Sequence, residues 1–259
     1  MKANRLFSIL TIAPVLFVTA PSSMAAEHSK WCYNDPSCSP CFWGQLDEHF
    51  KACGIGQKQS PVDLPTPKGE DGQLIVNYQP TQGTILINNG HTWQVDYSSG
   101  SGELRYDDKS YQLVQFHFHT PSEHTVAGKP FPMEAHLVHA AGNSLAVIGV
   151  FFREGAENQF LKQFWDQMPA HTGATNTSLN LNVEELLPQK RAFQTYAGSL
   201  TTPPCDERVR WIVLSEPVEA SKAQIESLTH AMHGDNARPT QPLHGRVIQD
   251  SKPKAVVDQ

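Results

Sequence analysis

Between about residues 74 and 214 hydrophobic and polar positions alternate along much of the chain, in runs rich in β-branched and aromatic residues. A period of two is that of a half-buried strand. It predicts strands at Leu74–Tyr78, Thr84–Ile87, Thr92–Tyr97, Leu104–Tyr106, Tyr111–His119, Glu134–Ala140, Ser144–Phe152 and Arg210–Leu214. Turn-forming groups separate them, such as Asn88-Asn89-Gly90, Asp107-Asp108 and Ala141-Gly142-Asn143. The period lengthens to that of a helix in two places. Ala156–Met168 aligns Phe160, Leu161, Phe164 and Met168 and stops at Pro169. Ser221–Met232 opens on a Ser-x-x-Gln capping box, aligns Ile225, Leu228 and Met232, and stops at Gly234. No internal repeat, heptad pattern or Gly/Ser linker divides the chain, so the pattern predicts a single, mainly β (α+β) domain whose few helices pack against the sheet.

The N-terminus departs from this pattern. Lys2 and Arg5 precede an apolar run from Leu6 to Ala20, and Ser23-Met24-Ala25-Ala26 supplies small residues for cleavage after Ala25 or Ala26. These features predict a signal peptide over residues 1–25, a domain over 26–259, and a periplasmic or secreted protein with no membrane anchor after cleavage. Removing Lys2 and Arg5 makes the net charge of −6 two units more negative. No basic stripe or RNA-binding motif is present, which argues against a nucleic-acid partner. In an exported chain the five cysteines are expected to oxidise. Cys32, Cys38 and Cys41 crowd together while Cys53 and Cys205 stand apart. The odd count leaves one thiol over, free or available to link two chains, so a homodimer is compatible with the sequence. Their spacing alone does not choose the pairing.

The chemistry concentrates in Gln115-Phe116-His117-Phe118-His119. Histidines at i and i+2 of a strand share a face, so one metal ion can reach both. His136, in Glu134-Ala135-His136-Leu137-Val138-His139, can supply a third imidazole from a neighbouring strand. Three histidines without cysteine form the ligand set of a catalytic zinc site, with a fourth position for water. Gln115 and Glu134 each stand two residues before a ligand, where they can accept the imidazole N–H that the metal does not use. Phe116 and Phe118 point to the opposite face and read as core. His117-x-His119-x3-Glu123, with His139-x3-Asn143, also resembles pieces of the cupin metal motifs. The glycines expected there are replaced, by Tyr111, Pro130 and His136.

From Trp31 to about Ile248 the chain resembles the α-class carbonic anhydrases, in their exported bacterial branch. The resemblance is carried by Trp43-Gly44 with Leu46, Gln59-Ser60-Pro61-Val62-Asp63, Asn88-Asn89-Gly90-His91, the two histidine strands with Ser122-Glu123-His124, Leu145-Ala146-Val147, Gly198-Ser199-Leu200-Thr201-Thr202-Pro203-Pro204, and Asn236 with Arg238-Pro239 and Gln241-Pro242. It implies a twisted, mainly antiparallel central sheet of about ten strands with short outer helices, cis bonds at Ser60-Pro61 and Pro203-Pro204, and a Cys53–Cys205 disulfide. It also implies Zn2+ on His117, His119 and His136, with Asn236 holding a ligand in place, and reversible hydration of CO2 to bicarbonate and a proton by a zinc-bound hydroxide. The resemblance makes Thr201 and Glu123 the pair that orients this hydroxide, and Val138, Val147, Leu200 and Trp211 the apolar wall for CO2. Thr202 is placed near bicarbonate, and His91 becomes the proton shuttle. His124 and His139 are expected to hold structure. A zinc-binding or adhesion module of the same fold without turnover is the competing reading, favoured less because the three histidines, Glu123 and Thr201 are all in place.

Overall fold

The alternating runs pair into one large mixed sheet. The computed structural model describes residues 31–68, 74–81 and 83–251; the expected signal segment, 1–25, and its cleavage site lie outside the described residues. Among these residues fifteen strands form: β1 (Asp63–Leu64), β2 (Ile75–Tyr78), β3 (Thr84–Asn88), β4 (Trp93–Asp96), β5 (Gly102–Tyr106), β6 (Lys109–His119), β7 (Thr125–Val126), β8 (Lys129–Pro130), β9 (Met133–Ala141), β10 (Ser144–Glu154), β11 (Gly173–Thr177), β12 (Phe193–Gly198), β13 (Val209–Leu214), β14 (Val218–Ala220) and β15 (Gln249–Asp250). Twelve share the main sheet, in the order β11-β3-β4-β6-β9-β10-β13-β12-β15, with β5 also on β6, β2 on β5 and β14 on β10. Its pairs are antiparallel except for β10–β13 and β10–β14, which are parallel.

The long central strands bury both faces. On one face Phe116 and Phe118 of β6, Ala135 and Leu137 of β9, and Ile148 and Val150 of β10 join the larger hydrophobic core. Both phenylalanines are fully buried, each contributing about 1.5–3 kcal/mol relative to exposure. The other face carries a smaller cluster that includes Val62, Val147, Phe151, Tyr196, Trp211 and Val213.

Strand β6 does not keep one parity throughout. Leu113 pairs with His139 and Gln115 with Val138, so β6 spends one extra residue, Val114, in a bulge. Tyr111 and Leu113 therefore lie in the same core as Phe116 and Phe118. Beyond the bulge it is the odd residues Gln115, His117 and His119 that turn to the other face. A bulge re-aims the side chains that follow it, and here those are the histidines.

The helices are short: α1 (Trp43–Leu46), α2 (Ala52–Ile55), α3 (Gln159–Lys162) and α4 (Lys222–Ala231). Helix α4 matches the pattern, with the Ser221–Gln224 capping box in place. The thirteen-residue helix expected over Ala156–Met168 is not formed. Only α3 is α-helical, and the chain leaves the helix at Phe164, with φ −138° and ψ −12°, before a 3-10 turn at Trp165–Gln167. The apolar stripe is nonetheless buried, and the break lets Trp165 donate its indole N–H to Gln224 O at 2.9 Å and pack edge-on against Phe118 at 4.8 Å. The cis bonds at Ser60-Pro61 and Pro203-Pro204 are present, with a third at Thr120-Pro121, directly after His119. Cys53 is bonded to Cys205 and Cys32 to Cys38, leaving Cys41 exposed as a free thiol. Among the described residues no helix is long and apolar enough to cross a membrane.

Candidate metal centre and active site

Register brings the histidines together. His117 of β6 stands directly opposite His136 of β9, with His119 opposite Glu134, and one nitrogen from each of the three imidazoles lies within 4.8 Å of the others. Their remaining nitrogens face acceptors. His117 Nδ1 donates to Gln115 Oε1 at 2.8 Å and His119 Nδ1 to the Asn236 carbonyl at 2.7 Å. Glu134 Oε1 lies 3.0 Å from His136 Nε2, although off the ideal hydrogen-bond line. His117 and His119 are thus oriented from behind by hydrogen bonds, and His136 by its contact with the Glu134 carboxylate. His119 Nε2, on the inner side of the cluster, is buried without a hydrogen-bond partner, an arrangement that costs about 1–3 kcal/mol unless something binds there.

Charge supports the same geometry. Burial, together with the neighbouring His119 and His136, holds His117 well below the usual imidazole range, and burial likewise lowers His119. Neutral imidazoles are the form that ligates a metal. For Glu134 burial is the largest single influence and raises its pKa. The charges of His124 and His136 and their hydrogen bonds together outweigh it, keeping the carboxyl ionised well below the usual carboxylate range. Its Oε2 accepts the backbone N–H groups of Glu123 and His124, both at 2.9 Å, and its Oε1 faces His124 Nδ1 at 2.8 Å. The donor set fits a zinc ion: three imidazole nitrogens converging on one point, each ring backed by an acceptor.

Glu123 is buried beside this group. Its Oε1 accepts the Arg238 N–H at 2.8 Å, whereas Oε2, 3.4 Å from His119 Nε2, has no hydrogen-bond partner. Thr201 is buried nearby in sequence to Ser199, which exchanges hydrogen bonds with Ser60, but Thr201 and Glu123 are not hydrogen-bonded to each other in this structure.

A family model for the eukaryotic-type carbonic anhydrases matches residues 38–252. The chain belongs to the α-carbonic anhydrase family. A carbonic anhydrase of Nostoc sp. is 43% identical over 240 residues, covering 89% of this chain and 89% of the relative. One of Neisseria gonorrhoeae is 40% identical over 242 residues, covering 92% and 95%. The α-carbonic anhydrase of Thermovibrio ammonificans, solved with sulfanilamide, superposes with a TM-score of 0.79 at 42% identity over 85% of this chain and 98% of that one. The cupin resemblance, which rested on His117, His119, Glu123, His139 and Asn143, is thereby set aside.

The remaining positions singled out from the carbonic anhydrase motifs fall into two groups. Val138, Val147 and Trp211 form a row across β9, β10 and β13, paired in register, and Leu200 packs on the same apolar cluster. Trp211 also stands edge-on to His136 at 4.7 Å and donates its indole N–H to Ser199 O at 3.0 Å, so it backs that imidazole as well as the cluster. His91 and Thr202 instead line a cavity of about 110 Å³ with Trp31, Gln94, His117 and His119. Asn236 uses its whole amide: Oδ1 accepts Thr120 N–H at 2.7 Å, and Nδ2 donates to His91 O at 2.9 Å and Phe118 O at 3.0 Å.

Two residues carry more than sequence assigns them. Arg238 is buried and donates to Gln59 Oε1, Ser60 O and Cys53 O at 2.9, 2.7 and 2.9 Å, with its guanidinium over the Trp43 ring. Burial pushes it down to about 10, still charged at neutral pH. Tyr196 joins His124 Nε2, at 2.6 Å, to Ser60 Oγ, at 3.0 Å. Neither contact could be read from local spacing, because each partner lies more than seventy residues away.

Proposed function

We propose that the protein is an exported, zinc-dependent carbonic anhydrase that interconverts CO2 and bicarbonate, with residues 1–25 as its signal peptide and a periplasmic or secreted destination. The observation that carries this reading is the three-histidine cluster, oriented from behind and closed on its inner side by an unpartnered buried nitrogen. His117, His119 and His136 would hold the zinc. Bound there, zinc lowers the pKa of a water towards 7, for which carbonic anhydrase is itself the standard example, and so supplies hydroxide at neutral pH.

The chain's own residues do the rest. Glu123 Oε2 is the open acceptor towards which the Thr201 hydroxyl would donate, leaving the threonine oxygen to accept a hydrogen and fix the direction of attack. Glu123 orients and is not a base. Val138, Val147, Leu200 and Trp211 offer CO2 an apolar wall that matches its lack of charge, and Thr202 meets the polar product at the cavity side. His91 takes the proton away, because imidazole is the side chain that accepts and releases protons around neutral pH.

The test is zinc content combined with stopped-flow CO2 hydration on the chain lacking residues 1–25. One zinc per chain and chelator-sensitive hydration are expected. Stoichiometric zinc without hydration would replace the enzyme by a zinc-binding or adhesion module of the same fold.

A further inference from the structure

The indole of Trp31 lies flat on the imidazole of His91, with ring centroids 3.6 Å apart and planes 11° from parallel. Trp31 immediately precedes a loop closed twice, by the Cys32–Cys38 disulfide and by a hydrogen bond from Cys32 N–H to Cys38 O at 2.8 Å. That loop sits on a single side chain: the indole N–H of Trp43, itself fully buried, donates to both the Cys32 and Cys38 carbonyls at 3.0 Å. Trp31 also meets Trp43 edge-on at 5.1 Å and Tyr33 at 5.5 Å. On its other side Asn34 Nδ2 donates to Asp235 O at 3.1 Å, next to Asn236, whose amide holds the His91 carbonyl. The wall against the His91 ring and the support beneath its backbone therefore share anchors.

We propose that the Cys32–Cys38 loop is a positioning device for His91. It presents Trp31 as a fixed wall that holds the imidazole in one orientation at the cavity, and so governs proton transfer without touching CO2 addition. The proposal rests on the reading of His91 as the proton relay. A histidine at the end of a turn can rotate about two side-chain bonds, and only some orientations pass a proton between the cavity and solvent. A flat stack at van der Waals distance restricts those rotations. Closing the loop through a disulfide lowers the entropy lost in holding Trp31 there. Cys41, three residues beyond Cys38, takes no part and is exposed.

The experiment uses the zinc-loaded protein with Cys32→Ser/Cys38→Ser, Trp31→Ala, Trp31→Phe, Cys41→Ser and His91→Ala, reading CO2 hydration in weak and strong buffer and the NMR resonances of the His91 ring. Opening the loop or removing Trp31 is expected to lower kcat in weak buffer by about three- to tenfold, with kcat/KM for CO2 within about twofold and kcat restored by added imidazole. Trp31→Phe should retain most of the parent rate and Cys41→Ser all of it. The His91 ring protons, shielded by the indole in the parent, should move in the Cys32→Ser/Cys38→Ser protein towards their Trp31→Ala positions. Unmoved His91 resonances in that double variant would overturn the proposal. So would moved resonances with an unchanged kcat while His91→Ala still slows turnover, because the relay would then not need the loop. If His91→Ala alone leaves kcat in weak buffer intact, it is the relay reading that fails, and the proposal with it.

Discussion

Replacing Glu134 by glutamine tests most directly whether the cluster is oriented from behind. The carboxylate is fully buried and accepts from both sides: two backbone N–H groups at Oε2, and His124 Nδ1 with His136 Nε2 close by at Oε1. Glutamine keeps one acceptor oxygen and turns the other into a donor. If the new NH2 faces Glu123 N and His124 N, two bonds to a charged acceptor are lost at about 1.5–3 kcal/mol each, or roughly 3–6 kcal/mol together. If it faces the imidazoles, His136 loses the contact that fixes its tautomer, and zinc affinity should fall by about 10- to 100-fold. Either orientation is measurable. Thermal unfolding in excess chelator reads the first effect, with Tm expected to fall by about 6–24 °C for a chain of this size. Chelator competition at equilibrium reads the second. Gly149, paired with His136, gives a smaller version of the same perturbation, because a Cβ there would stand 2.8 Å from Glu134 Oε1. Gly149→Ala should weaken zinc in the same direction. A Glu134→Gln protein with Tm within about 2 °C and zinc affinity within about threefold of the parent would refute the reasoning.

Three further outcomes are expected. Burial lowers the His139 pKa to about 4, so as pH falls from about 6.5 to 4 the unfolded chain takes up a proton that the folded chain does not, and stability drops by about 3 kcal/mol before levelling off. Urea unfolding at pH 7 and pH 4 should show that part of the pH dependence disappearing in His139→Gln, and an unchanged dependence would argue against it. Cys53→Ser/Cys205→Ser opens a 152-residue loop and should lose up to about 5 kcal/mol in denaturant unfolding, while peptide mapping of the parent without reductant should recover the Cys53–Cys205 pair. His91→Ala should slow turnover in weak buffer, be rescued by imidazole and leave kcat/KM for CO2 nearly intact; equal, unrescued loss of both would move the proton path elsewhere.

What could be read from sequence was whatever local periodicity dictates. The strand pattern located the eight major runs, and the i, i+2 spacing put His117 and His119 on one face with Gln115. The bulge at Val114 could not be read. Plain alternation carries Tyr111 and Leu113 to the histidine face, whereas the structure buries them with Phe116 and Phe118. Strand β12 escaped notice because both of its faces are covered, so that Gln194 and Thr195 are buried beside Phe193 and Tyr196 and no alternation survives. Strand β11 escaped for the opposite reason, as an almost entirely exposed polar edge. The stripe at Phe160 to Met168 identified the buried side chains correctly, yet packing of Trp165 on the sheet outweighed continuation of the helix.

The same division runs through the candidate site. The three histidines come from two adjacent strands, so their meeting follows from register, and their spacing is visible in a short stretch of chain. Gln115 and Glu134, two residues before His117 and His136, were legible as their backing in the same way, but the orientation of His119 and Glu123 was not. His119 is held by Asn236 and Glu123 by Arg238, contacts that span 117 and 115 residues. Arg238 is fixed in turn by Cys53 O, Gln59 and Ser60 and by the face of Trp43, within a cluster that also contains the Cys53–Cys205 disulfide. A carboxylate that must present one oxygen in one direction needs its other oxygen clamped, and the clamp here is a backbone N–H whose position depends on that distant cluster. On the proposed reading of Glu123, the Cys53–Cys205 disulfide and Trp43 serve its orientation as well as stability. A fold that kept the three histidines and loosened this cluster would, on that reading, still hold zinc but lose the clamp that aims Glu123.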